Sequence, residues 1–305
     1  MAVLTTDRLT KVYKGRPAVK DVNMHIEEGD IYGFVGENGA GKTTVIRLIT
    51  GLAEPTSGTY SLYGISSKDP AISEVKKTIG AIVETATMNR SMTALENLRF
   101  QCLVTGTEKS DEELIALIGR VGLDYEAIKK KKVGNFSLGM KQRLGIAIVM
   151  VSDAKFVILD EPMNGLDPQG FIEVRETILK LHGEGVTFLI SSHILSELEK
   201  ICTKVGVISH GELLEEITIE ELHRKAARRT VIETEDPEGT AAVLRNGGFP
   251  EAVVEEGKTL LYGDTDINAI MKVLVEKAVP VRKINTLEDT IEDHYIRLLG
   301  RRLQS

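Results

Sequence analysis

Lys42 and Thr43 close the run Gly36-Glu37-Asn38-Gly39-Ala40-Gly41-Lys42-Thr43-Thr44, where glycines, an amine and a hydroxyl fall at a phosphate-holding spacing. Glycines let the backbone curl into a concave loop whose N–H groups point inward at an anion. In such a loop the Lys42 ammonium reaches the β and γ phosphates, and the Thr43 hydroxyl faces Mg²⁺. Gly36, Asn38, Gly39, Ala40, Gly41 and Thr44 supply the cradle. The chemistry this implies is binding of a nucleoside triphosphate.

A second group of reactive side chains lies far along the chain. Phe156-Val157-Ile158-Leu159 is an apolar run ending in Asp160-Glu161-Pro162. Adjacent acids at the carboxyl end of a strand sit where open α/β sheets bind ligands. Asp160 is suited to hold Mg²⁺ through water, and Glu161 to polarise an attacking water as general base. Between the two groups, Ser137 and Gly139 in Phe136-Ser137-Leu138-Gly139-Met140-Lys141-Gln142-Arg143 offer a hydroxyl and a free N–H before a helix expected from Leu144. That is an anion site, and equally an ordinary helix cap.

These residues need a scaffold. Ile31 to Val35 reads as a buried strand before the loop, and Val45 to Ile49 as the first turns of a helix after it. Up to about Leu214 the strand and helix signals alternate, which predicts an α/β domain with a largely parallel sheet. Phe156 to Leu159 and Val186 to Ile190 have the composition of central strands. From Ile46 to Phe136 the reading is more helical, notably Thr93 to Val104 and Asp111 to Val121. Thr93 and Glu96 have the spacing of a capping box. From residue 226 the order strand, helix, strand, strand, helix, strand (230–233, 237–246, 252–255, 259–262, 266–277, 281–284) predicts a small α+β ferredoxin-like domain. A last helix is expected from Thr286, with Leu287, Ile291, Tyr295 and Leu298 at helical spacing. The expected domains are thus 1–225 and 226–305.

Composition narrows the classes. The chain has 305 residues, 42% hydrophobic and 27% charged, with a net charge of −7. The length suits two domains, and the acidic balance offers no footprint for nucleic acid. Cys102 and Cys202 are its two cysteines and stand apart, so neither a disulfide framework nor a cysteine metal site is indicated, and a reducing cytoplasm fits. The apolar region from Leu144 to Leu159 is interrupted by Ser152-Asp153-Ala154-Lys155 and falls short of the roughly 20 residues a bilayer span needs. A membrane role is expected only through a partner.

The order and spacing of these motifs become specific when taken together. Phosphate loop, Ser-x-Gly-x-x-Gln-Arg, Asp-Glu-Pro, Gly165-Leu166-Asp167 and His193 after a strand resemble the ATP-binding subunit of an ABC transporter over roughly residues 1 to 215. The forms FSLGMKQR and Ile158 to Pro168 resemble the bacitracin and lantibiotic resistance branch, which exports or detoxifies membrane-active peptide antibiotics. The resemblance implies an ATPase with ATP and Mg²⁺, working as a homodimer on a separately encoded transmembrane permease at the cytoplasmic face of the membrane. It implies that Tyr13 stacks on adenine and that Asp167 crosses the dimer interface. It further implies that His193 contacts the γ-phosphate, and that Ser137 and Gly139 face the ATP held by the other subunit. Glu84 stands where the family usually carries a glutamine beside Mg²⁺ and the membrane partner. A carboxylate there is a better Mg²⁺ ligand and adds negative charge. The motif also departs at Leu138, usually glycine, and Met140, usually glutamine, while the hydroxyl and N–H are kept.

Two other classes fit less well. An ABC ATPase acting on ribosomes or DNA would carry two ATPase units or a long coiled-coil insertion. This chain has one phosphate loop, and Thr44 to Phe136 is too short for the insertion. A P-loop kinase or GTPase would not require the Ser137 motif, and no guanine-specifying Asn-Lys-x-Asp occurs.

Overall fold

The computed structural model describes residues 1–225, 229–263 and 265–287. The chain divides into two compact units, Met1–Ile219 and Glu220–Ser305.

The first unit is built on a six-stranded sheet ordered Glu212–Thr218, Lys204–Ser209, Ile31–Val35, Thr187–Ser192, Phe156–Asp160, Ile79–Ile82. All these strands run parallel to their neighbours except the hairpin of Lys204–Ser209 with Glu212–Thr218. The strands that carry function are in the middle. Ile31–Val35, Phe156–Asp160 and Thr187–Ser192 are buried at every residue, as strands covered on both faces must be. Close packing continues beneath the phosphate loop, where a Cβ on Gly33 would lie 2.7 Å from the Cys202 sulfur. Burial pushes the Cys202 thiol far above its ordinary range.

A second, antiparallel sheet of Ala2–Tyr13, Arg16–Val22, His25–Glu27, Ser57–Leu62 and Ile65–Ser66 was not expected. Ser57–Leu62 reads as polar because it is half-exposed, with only Tyr60 and Leu62 buried. Its pairing with the first strand, Leu4 opposite Leu62 and Thr6 opposite Tyr60, makes it a strand. The stretch between Ile46 and Phe136 is therefore less helical than its sequence implies, since Ile79–Ile82 is a strand too.

The expected helices there do form. Ala94–Thr105 opens on a complete capping box between Thr93 and Glu96, and Asp111–Arg120 on a second between Ser110 and Glu113. The helix after the Ser137 motif starts at Leu138, not Leu144, because the Ser137 hydroxyl caps it by accepting from the Met140 N–H (3.2 Å).

The second unit carries a four-stranded antiparallel sheet ordered Val253–Glu255, Lys258–Tyr262, Arg229–Thr234, Val281–Leu287. Helices Pro237–Asn246 and Ile267–Glu276 pack on it through Ala241, Leu244, Ile270 and Leu274 against Ile232 and Leu261. Thr286 and Leu287, expected to begin a helix, pair instead with Thr230 and Arg229 as the end of the last strand. The rest of that expected helix lies outside the described residues.

Candidate active site

The helix Lys42–Thr50 springs directly from the phosphate loop, and no side chain caps it. Gly41 precedes it at φ 112°, a left-handed conformation that side chains rarely adopt, and a Cβ there would come 2.8 Å from the Ala18 carbonyl. The loop and the helix start line a cleft of about 200 Å³ with Ala18, Asn38, Gly39, Gly41, Lys42, Thr43, Thr44 and Glu161. Backbone N–H groups and the positive end of the helix dipole thus meet in one anion-sized space. Gly36 and Ala40 shape the loop rather than line the cleft: the Gly36 carbonyl accepts from Lys42 Nζ (2.6 Å), and Ala40 is buried.

The two distant acids arrive at this cleft through strand order alone. Phe156–Asp160 lies one strand away from Ile31–Val35, across Thr187–Ser192. Thr43 Oγ1 donates to Asp160 Oδ2 (2.9 Å), and Ser191 Oγ donates to Asp160 Oδ1 (2.6 Å). Lys42 Nζ stands 3.3 Å from Glu161 Oε1, and His193 Nδ1 is hydrogen-bonded to Glu161 Oε2 (2.8 Å). Two linked sets result, Thr43 with Asp160 and Ser191, and Lys42 with Glu161 and His193, joined where the Glu161 backbone N–H donates to Ser191 Oγ (2.9 Å). The Thr43 hydroxyl and Asp160 carboxylate are hard oxygen donors side by side at a phosphate cradle, the donor chemistry Mg²⁺ takes.

The remaining expected residues are elsewhere. Ser137 and Gly139 begin the helix Leu138–Val149, and Asp167 caps the helix Pro168–Gly183 by accepting from the Gly170 N–H (2.9 Å). These two helix starts touch: a Cβ on Gly139 would lie 3.0 Å from Gly170 Cα. Further along, Arg143 ties the same helices together by donating to Glu173 (2.7 Å) and to the Gly122 carbonyl (2.6 Å). Tyr13 ends the first strand, 43% exposed, with Lys11 Nζ 5.1 Å from its ring centre. The return strand of that hairpin carries Ala18 to the cleft. Glu84 follows the strand Ile79–Ile82, and its carboxylate is paired with Arg47 on the phosphate-loop helix.

Ser191 was not singled out from the sequence, although a signal was present. Thr187–Ser192 is an apolar strand that ends in two hydroxyls at the edge where ligands bind. Gly170 left no such signal, because its part is set by a contact between helices.

A parallel sheet with a phosphate loop at one strand end and paired acids at another defines a P-loop nucleoside triphosphatase. The family profile described as ABC transporter matches residues 19–164. The chain is 39% identical to the bacitracin transport ATP-binding protein BcrA of Bacillus licheniformis, covering 98% of this chain and 97% of that protein. It is 40% identical to the lantibiotic transport ATP-binding protein SrtF of Streptococcus pyogenes, over 70% of this chain and 89% of the relative. Among solved structures, cbiO1 from Clostridium perfringens, part of the ABC transporter complex cbiONQ, superposes with a TM-score of 0.66 at 26% identity, over 73% of this chain and 91% of that one. The chain belongs to the ABC transporter ATP-binding proteins, ATPases that bind ATP and couple its hydrolysis to transport.

Proposed function

We propose that this ATPase powers export of, or resistance to, peptide antibiotics, through a separately encoded membrane subunit that it meets at the cytoplasmic face. The observation that carries this reading is the 39% identity with a bacitracin transport ATP-binding protein over 98% of the chain, second unit included. No helix among the described residues is long and apolar enough to cross a membrane, so the path for a substrate is assigned to the partner. Phe100, Leu103 and Val104 are exposed on the helix Ala94–Thr105, whose Gln101 lines a cavity of about 400 Å³ with Leu52 and Ile148. This apolar region beyond Glu84 is the part we assign to the partner.

In the mechanism we infer, Glu161 takes the proton of a water that attacks the γ-phosphorus as the bond to the ADP oxygen breaks. His193 holds the Glu161 carboxylate and stands beside the γ-phosphate. Lys42 carries the β and γ phosphates, and Tyr13 the adenine. Thr43 and Asp160 would hold Mg²⁺, with Glu84 next to them; the ion would offset the phosphate charge. Ser137, Gly139 and Asp167 serve a second copy, across a self-complementary two-fold interface that closes on two ATP molecules. Hydrolysis removes the γ-phosphate that both copies grip, so the dimer opens.

The C-terminal domain, taken as residues 226–305, is read as ferredoxin-like. The reading is supported by its strand order and by the two helices on its sheet. Its assigned role is to stabilise the dimer, and removal of residues after Ala226 should weaken ATP-dependent dimerisation.

The test is to purify the tagged chain from detergent-solubilised source cells and to measure bacitracin sensitivity of cells lacking it. A polytopic membrane protein should co-purify, and sensitivity should rise. Ribosomal or DNA-repair partners, or unchanged sensitivity to peptide antibiotics, would overturn the reading.

A further inference from the structure

Ser191 is fully buried in the middle strand between the phosphate-loop strand and the acidic strand, directly opposite Asp160. An apolar residue would be the ordinary occupant, since a buried hydroxyl is costly unless it is hydrogen-bonded. This one is used twice. It donates to Asp160 Oδ1 (2.6 Å) and accepts from the Glu161 N–H (2.9 Å). The same N–H also reaches the Ser191 carbonyl (3.2 Å).

Both acids need that help. The terminal torsion of an aspartate is broad and two-fold, so a single bond from Thr43 would leave the carboxylate free to turn. With Thr43 on Oδ2 and Ser191 on Oδ1, its plane is fixed. Glu161 has φ 50°, a left-handed backbone that is unfavourable for a residue with a side chain. Its N–H, shared between two oxygens of Ser191, is what the surroundings offer against that cost.

We propose that Ser191 is a positioning residue that sets Asp160 and Glu161 together, so that metal-holding and water-activating carboxylates keep one fixed geometry. The proposal rests on the roles given to Asp160 and Glu161 above. Ser192 supplies the control, because its buried hydroxyl accepts from the Ile194 N–H (2.9 Å) and, among the described residues, makes no hydrogen bond to either acid.

The experiment uses the full chain with Ser191→Ala and Ser192→Ala. Mn²⁺ serves as a spin-active substitute for Mg²⁺, titrated by EPR in the presence of ADP. Ser191→Ala should weaken Mn²⁺ about 10-fold and lower kcat about 10–100-fold, the scale for partners that orient metal ligands. ADP affinity in EDTA should stay at the wild-type value, and Ser192→Ala should match wild type throughout. Wild-type Mn²⁺ affinity in Ser191→Ala would overturn the proposal. So would parallel loss of metal-free ADP affinity, which would make Ser191 a fold residue only. Glu161→Gln separates the two failures: wild-type turnover there would sink the general-base assignment, while the Mn²⁺ shift would still report on Asp160.

Discussion

The phosphate-loop half of the site and the Ser137 half are built on opposite plans. In the first, each reactive side chain bonds to another: Lys42 to Glu161, Glu161 to His193, Thr43 to Asp160 and Asp160 to Ser191. In the second, polar groups are spent on their own helix starts, Ser137 on the Met140 N–H and Asp167 on the Gly170 N–H. What is shared there is backbone contact between two helices at Gly139 and Gly170. On the proposed function, the first half is a reaction centre assembled within one chain. The second leaves its capped helix starts close together, which suits the role proposed for them toward another copy's phosphate.

The largest expected effect breaks the first half alone. Glu161→Gln should lower ATP turnover about 10²–10⁴-fold while leaving ATP-driven dimers intact or longer-lived, as read by steady-state kinetics and light scattering. Turnover near wild type would remove Glu161 from the reaction.

The next test sets the halves against each other. Lys42→Ala removes charge-assisted hydrogen bonds and should weaken ATP binding by the isolated chain about 10–100-fold. Ser137→Ala should leave that affinity unchanged and suppress ATP-dependent dimerisation instead. Equal loss of monomer affinity in both variants would erase the distinction drawn here.

Gly170→Ala sharpens the account of the second half. Its Cβ would sit 2.7 Å from Asp167 Oδ1 and 3.6 Å from Gly139 Cα. Overpacking of this kind costs about 1–3 kcal/mol. The variant should dimerise poorly while its monomer binds ATP normally, measured by sedimentation and nucleotide titration.

The same contrast explains what could be read from the chain. The phosphate loop and the Asp160-Glu161 pair were legible because their chemistry is written in contiguous residues on strongly apolar strands. The capping box at Thr93 was legible for the same local reason. Gly170 was not, since its part exists only once helix packing brings Gly139 beside it, and for Ser191 the sequence showed a strand-end hydroxyl but not its partner Asp160, which strand order supplies. Ser57–Leu62 was missed because its strand character comes from pairing, and Leu287 because register with Arg229 outweighs a helical spacing.

A smaller effect should fall on the helix Ala94–Thr105, which packs against the helix that carries Ser137. Thr93→Ala removes the capping hydroxyl and should cost about 1 kcal/mol in thermal or denaturant unfolding. The Thr93 N–H and then Lys132 hold the Glu96 carboxyl below the ordinary glutamate range. Its contribution is therefore present above that range and is lost as pH falls through the lowered folded value. Acid titration of stability should show this loss in wild type and miss it in Glu96→Ala.

Glu84→Gln is the smallest change and the most discriminating for the metal assignment. Its ion pair with Arg47 is about half-exposed on both sides, and such pairs contribute about 0–1 kcal/mol. Stability should therefore shift by no more than about 1 kcal/mol. If Glu84 turns to the metal when nucleotide is bound, Mn²⁺ affinity with ADP must fall although stability does not. If it stays with Arg47, both stay level, and the metal-holding half of the site reduces to Thr43 and Asp160.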